Sequence, residues 1–268
     1  MLKDITLGQY FPGNSVLHRL DPRTKLLFLI VYIVVLFSAG WWVSYGIVFL
    51  FLAGCIAISG IAPKAFLRGL KPLVFILVFT GILNLFFTQG ETVLLQVGSI
   101  KLTLEGVEKA IMMVVRILML IAGTFLLTYT TSPISLTDGL ESLLSPLKAI
   151  KVPVHELSMM MCIALRFIPT LIEETDKIMS AQKARGADFE NGKLMDRVKA
   201  MIPILVPLFI SAFRRADELA TAMECRCYQG GNGRTKLKLL RYGRADILCV
   251  PVAAALIAAV FVLGHFGL

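Results

Sequence analysis

The chain has 268 residues, 57% of them hydrophobic, and carries 27 Lys and Arg against 18 Asp and Glu for a net charge of +9. Composition this apolar, with a positive mean hydropathy, belongs to membrane proteins rather than soluble ones. Cys55, Cys162, Cys225, Cys227 and Cys249 are scattered and odd in number, which gives no basis for a disulfide framework.

Residues 1–25 are polar and basic and lack the apolar core and cleavage site of a signal peptide, so the first apolar run must itself direct insertion. Asp21-Pro22 reads as an N-cap followed by proline at the first helical position. No charge occurs from Leu26 to Pro63. One helix of that length would reach about 57 Å, nearly twice the hydrocarbon thickness of about 30 Å. The run must therefore fold back, and Ser38-Ala39-Gly40-Trp41-Trp42 is the natural reversal, with tryptophan suited to the interface.

Lys64, Arg68 and Lys71 then mark a basic turn. Leu73 to Gly90 is a third uncharged run, with Asn84 near its far end. Leu94 to Leu102 alternates around Gly98-Ser99, the pattern of a small hairpin. Val107 to Thr130 is a fourth span, interrupted by Arg116, and Asp246 to Leu263 a fifth. Arg116 has no acidic residue at its depth, which leaves backbone carbonyls, Asn84 or lipid headgroups as partners.

The segment from Thr131 to Ala245 mixes apolar residues at helical spacing with most of the charge. A short helix is predicted over about Leu136 to Ile150. Two long amphipathic helices follow, bent at Pro169 and at Pro203 with Pro207 and separated by Asn191-Gly192. Their most apolar parts, 157–172 and 201–213, fall short of the ~17 residues a span needs, so they are expected not to cross. Arg166 is expected to cross-link them. The organisation is all-α: a membrane region over 1–130 with four spans, a cytosolic helical region over 131–245, and a last span over 246–268. On this topology 24 of the 27 Lys and Arg share one side, which the positive-inside rule makes cytoplasmic.

The long helices end in the same phrase. Asp176-Lys-Ile-Met-Ser-Ala181-Gln-Lys-Ala-Arg185-Gly186 aligns without gaps on Asp217-Glu-Leu-Ala-Thr-Ala222-Met-Glu-Cys-Arg226-Cys227. One Arg at a helix C-terminus compensates the dipole; two in register read as a pair of docking tips. Conventional reaction chemistry is hard to place beside them. Gly231-Asn-Gly-Arg-Thr-Lys236 resembles a phosphate loop only in composition. His18, His155 and His265 form no metal spacing, and no acidic residue sits well inside a span. Cys225-Arg226-Cys227 is too tight for a zinc pair and has no second pair nearby. A coupling part, a stand-alone secondary carrier and a lipid-acting membrane enzyme all remain open on these grounds. The missing intramembrane acids count against the carrier, and the lack of clustered Asp or His against the enzyme.

Five phrases, spread over nearly the whole length, resemble the transmembrane T component of energy-coupling factor transporters, the vitamin and metal importers of prokaryotes. They are Leu20-Asp-Pro-Arg-Thr-Lys25; Thr131-Ser-Pro-Ile-Ser-Leu-Thr-Asp-Gly-Leu140; Ala164-Leu-Arg-Phe-Ile-Pro-Thr-Leu171; Ala181-Gln-Lys-Ala-Arg-Gly-Ala187; and Arg215-Ala-Asp-Glu-Leu-Ala220 through Ala222-Met-Glu-Cys-Arg226. The resemblance implies a non-catalytic scaffold without cofactor, metal or nucleic acid. Two cytosolic ABC-type ATPase subunits would each take one tip, Ala184-Arg185-Gly186 or Cys225-Arg226-Cys227. The second keeps the Arg between larger neighbours, which bears on how closely the backbone can approach. The apolar faces of the two helices, with Met160, Met161, Leu165, Phe209 and Phe213, would carry a small membrane S component that holds the substrate. A methionine-rich face (Met159, Met179, Met195, Met201 and Met223 as well) suits repacking against several partners.

Overall fold

The computed structural model describes residues 10–88, 92–97, 100–187, 189, 194–230 and 239–266. Asn191-Gly192 and Gly231 to Lys236 lie outside the described residues. The elements in order are α1 (Val16–Arg19), α2 (Pro22–Ser38), α3 (Trp42–Ser59), α4 (Pro63–Leu70), α5 (Val74–Phe87), β1 (Val93–Val97), β2 (Ile100–Thr103), α6 (Leu104–Thr130), α7 (Pro133–Leu143), α8 (Val154–Ala184), α9 (Leu194–Cys225) and α10 (Arg244–Phe266), with 3₁₀ turns over Lys71–Leu73 and Ser145–Ile150. This is an all-helical multi-pass membrane protein carrying one small antiparallel ribbon, in which Val97 pairs with Ile100.

The described residues form two compact units, one over Glu141–Leu239 and the other from Tyr10 to Leu140 together with those from Leu240 onward. In the second, the local signals act as their chemistry dictates. Asp21 caps α2 by accepting the Arg23 amide at 2.9 Å, with Pro22 at the first helical position. α2 stops at Ser38 and α3 starts at Trp42, which places the reversal where the tryptophans stand. The core joins Tyr32, Val35 and Leu36 of α2 with Tyr45, Val48 and Leu52 of α3, Met119 of α6, and Leu256 and Val260 of α10. A phenol buried in hydrocarbon needs an acceptor; the Tyr32 hydroxyl donates to the Met119 carbonyl at 2.9 Å. Its ring lies over Gly123, where an added Cβ would stand 2.6 Å from the ring edge.

Two expectations change. The helix predicted over Leu136 to Ile150 divides: α7 ends at Leu143 and a 3₁₀ turn carries Pro146 in its first positions. α8 continues through Pro169, as one long helix was expected to. Among the described residues, five helical stretches are long and apolar enough to cross a membrane: Trp42–Ser59, Pro63–Phe87, Leu104–Thr130, Val154–Ala184 and Arg244–Gly264. α8 thus meets a criterion that it was expected to miss. α2, at 17 residues, sits at the lower limit for a span.

Candidate functional site

The two tips have the same backbone. At the end of α8 the Gly186 amide donates to the Lys183 carbonyl at 3.0 Å and the Ala187 amide to Gln182 at 3.0 Å, with Gly186 at φ +89°. At the end of α9 the Cys227 amide donates to Glu224 at 2.8 Å and the Tyr228 amide to Met223 at 3.0 Å, with Cys227 at φ +57°. Both are Schellman motifs. Arg185 and Arg226 therefore occupy the same C-cap position, and both are exposed. Neither has an ion pair with another described residue. An added Cβ at Gly186 would meet nothing within 4 Å, so glycine is suited there by its dihedral angle and not by space. Cys227 adopts the same left-handed conformation with a side chain, at a cost of roughly 1 kcal/mol.

α8 and α9 are joined part-way along. Arg215 Nη2 donates to Glu174 Oε2 at 2.9 Å, and the Ser211 hydroxyl donates to Glu174 Oε1. Gln182 Nε2 reaches the Pro203 carbonyl at 3.4 Å. Later residues of α8 thus meet earlier residues of α9, so the helices run antiparallel. Arg185 and Arg226 each lie eleven residues past their own helix's member of the Glu174–Arg215 pair, about 16 Å along the helix. The Ser211 hydrogen bond and the Arg215 guanidinium hold the Glu174 carboxyl below the usual carboxylate range. Glu174 stands in the charged half of α8, past its apolar stretch. This pair takes the role expected of Arg166, which is exposed and makes no ion pair among the described residues.

The proposed partner face is largely bare. Met160 and Met161 on α8 and Phe209 and Phe213 on α9 are exposed, with Phe209 at 66%. Leu165 is only half-exposed, so it sits at the margin of that face. α9 shows apolar surface on several sides, since Met201, Ile202, Leu205, Val206 and Ile210 are also exposed and only Ile204 in this stretch is buried.

Sequence reasoning missed a cluster at the start of α8. Glu141 Oε1 lies 3.1 Å from His155 Nδ1, and the Ser158 hydroxyl donates to Glu141 Oε2 at 3.1 Å. Ser158 and His155 both address the carboxylate rather than each other, which is a clasp and not a nucleophile–base relay. The only sequence hint was their grouping in a region rich in polar residues.

Two of the motif phrases prove to be one structural joint. Lys25 Nζ donates to the Thr130 carbonyl at 2.9 Å, the Thr131 hydroxyl at 3.1 Å and the His18 carbonyl at 3.3 Å. Gly139 approaches Pro22 so closely that an added Cβ would stand 2.9 Å from the proline Cβ. Arg116 also serves the fold. Its Nε donates to the Tyr45 hydroxyl at 2.7 Å and its Nη2 to the Ala39 carbonyl at 2.9 Å, with the rings of Phe37 and Tyr45 each 5.6 Å away. A carbonyl partner was expected; Asn84 is not one, since its amide bonds Thr80 in its own helix.

Comparison with known proteins agrees with this architecture. A family model described as "Cobalt transport protein" (CbiQ) matches residues 13–237. The energy-coupling factor transporter transmembrane protein EcfT of Ruminiclostridium cellulolyticum is 52% identical over 265 residues, covering 99% of both chains. The proteins of the same name from Thermosediminibacter oceani and Bacillus subtilis are 53% and 46% identical, covering 99% and 98% of this chain and 99% of each relative.

Proposed function

This chain belongs to the family of energy-coupling factor transporter transmembrane proteins, and from that premise we propose that it transmits work from two cytosolic ATPase subunits to a separate substrate-binding membrane subunit. As a member of the family it is a membrane component of a transporter assembled with other subunits. The finer reading is that it does no chemistry itself. Arg185 and Arg226 each dock one ABC-type ATPase, with Ala184, Gly186, Cys225 and Cys227 shaping the backbone around them. The faces bearing Met160, Met161, Leu165, Phe209 and Phe213 carry the S component, which holds a vitamin or a metal ion as cargo. On this reading residues 131–245 form the cytoplasmic coupling region, flanked by membrane regions over 1–130 and 246–268, and the N-terminus is cytoplasmic.

One observation carries this reading: two exposed arginines at identical C-cap positions on helices tied together between them. A guanidinium held on a rigid turn offers charge-assisted, bidentate hydrogen bonds to a carboxylate. Two equivalent tips suit two equivalent subunits. Motion of the tips would reach the apolar faces because both belong to the same two helices.

The test is co-purification of the nucleotide-binding subunits with Arg185→Glu/Arg226→Glu. Truncating one partner of a desolvated charge pair typically costs about 2–5 kcal/mol, and the reversal adds repulsion. Loss of the ATPases with normal membrane insertion is the expected result. Their normal recovery from the double variant would refute the assignment.

A further inference from the structure

From Pro22 to Gly90 the chain contains no acidic residue, and beyond Lys25 its cations in that stretch are Lys64, Arg68 and Lys71. These fall at i, i+4 and i+7 of one helical run, because Leu70, Lys71 and Val74 keep helical dihedrals through the 3₁₀ turn. They therefore form one stripe. All three are exposed, and none forms an ion pair with a described residue.

The opposite side of α4 is pinned. Phe66 is buried with its ring edge-on to Tyr129 at 5.2 Å, and the Tyr129 hydroxyl donates to the Ala65 carbonyl at 3.4 Å. A Cβ at Gly69 would stand 2.6 Å from the Phe125 ring. α4 cannot roll to hide its cations. One turn past Lys71 the helix becomes bare and apolar: Val74, Phe75, Ile76, Val78 and Phe79 are all exposed, Phe75 at 77%. Such a step from unpaired cations to uncovered hydrocarbon-facing side chains marks where the helix leaves the acyl region, at headgroup level. Leu67, exposed beside the stripe, is placed to dip toward the acyl chains.

We propose that Lys64, Arg68 and Lys71 form a binding site for anionic phospholipid headgroups of the phosphatidylglycerol class, in the leaflet where α4 emerges. The phosphate accepts charge-assisted hydrogen bonds from the stripe while its acyl chains lie along α5. An acidic protein surface would meet the same charges, but the stripe ends within one turn of the hydrocarbon, where a lipid headgroup is always in reach.

The full chain, reconstituted in nanodiscs of equimolar phosphatidylglycerol and phosphatidylcholine, is stripped stepwise in detergent and its retained lipid counted by mass spectrometry. The native chain should retain phosphatidylglycerol preferentially. K64Q/R68Q/K71Q should lose that preference, by about fivefold for each cation removed, and K148Q/K151Q/K177Q should keep it. Equal loss in both triple variants, or none in the first, overturns the proposal. So does a stripe variant that keeps its lipid but loses soluble partner subunits, because the stripe is then a protein contact. A photo-crosslinking residue at Leu67 in the otherwise native chain gives a readout that does not depend on the variants folding. It should capture phosphatidylglycerol over phosphatidylcholine, and equal capture overturns the proposal too.

Discussion

Glu174 and Arg215 occupy equivalent places, each two residues before its copy of the repeat and 41 residues apart, and they meet at 2.9 Å. Antiparallel pairing of two similar helices brings equivalent positions face to face. Two identical charges there would repel; one acid and one base attract. The pair is partly exposed, so its net contribution is about 1 kcal/mol or less. Its value lies in fixing the register that sets both tips equally far from the junction.

A charge-swap cycle tests that register. Glu174→Arg and Arg215→Glu, taken singly, should each broaden the distance distribution between spin labels near the two tips. The combined swap should narrow it again. Distributions that are the same in all four proteins would show that packing alone aligns the helices.

Acid should loosen the same junction. The Glu174 carboxyl titrates below its ordinary value, so its contribution is complete above the unfolded carboxylate value of about 4.3 and is lost as pH falls through the lowered one. Spin-label distances should hold at pH 5 and broaden only under stronger acid. In Glu174→Gln that acid step should be absent, and a step that persists there assigns it to another group.

Cys227 predicts opposite outcomes at the two tips. Cys227→Gly relieves the left-handed strain and should stabilise the last turn of α9 by about 1 kcal/mol, whereas Gly186→Ala should weaken that of α8 by a similar amount. Hydrogen exchange of the last-turn amides reads this directly. Slower exchange in α9 and faster exchange in α8 are expected.

The contact between Tyr32 and Gly123 leaves no room for a methyl group. Gly123→Ala should destabilise the bundle by roughly 1–3 kcal/mol through overpacking, and Tyr32→Leu in the same chain should recover part of that. Thermal unfolding in detergent is the measurement. Additive losses in the double variant would mean the two residues do not interact.

The proposed orientation has its own check. With native cysteines replaced, Gln96→Cys should react with an impermeant thiol reagent added to intact cells. Asn191→Cys should react only after permeabilisation. The reverse pattern would invert the topology.

What was legible in the sequence was local. Asp21-Pro22 announces the start of α2 because capping involves neighbours, and the Trp41-Trp42 reversal follows from helix rise against bilayer thickness. The two tips were legible because their repeat is written in residue types. Partners at long range were not: the hydroxyl of Tyr45 is 71 residues from Arg116, and nothing in spacing singles it out. Arg166 and Arg215 both lie on long amphipathic helices, and only their rotation decides which one faces Glu174. At Cys227 the sequence shows the bulk and not the dihedral: the turn closes at φ +57°, a conformation that propensity disfavours.

The amide of Asp21 donates to the Asp246 carboxylate at 2.9 Å, across a sequence separation of 225 residues, and both groups are buried. During synthesis at about 5–20 residues per second, α2 therefore waits roughly 10–45 s for the acceptor that completes its entrance. Until then the nascent bundle holds an open seam at the start of α2. Insertion factors and proteases have that interval in which to act on it, and the arrival of Asp246 at the start of α10 closes the seam.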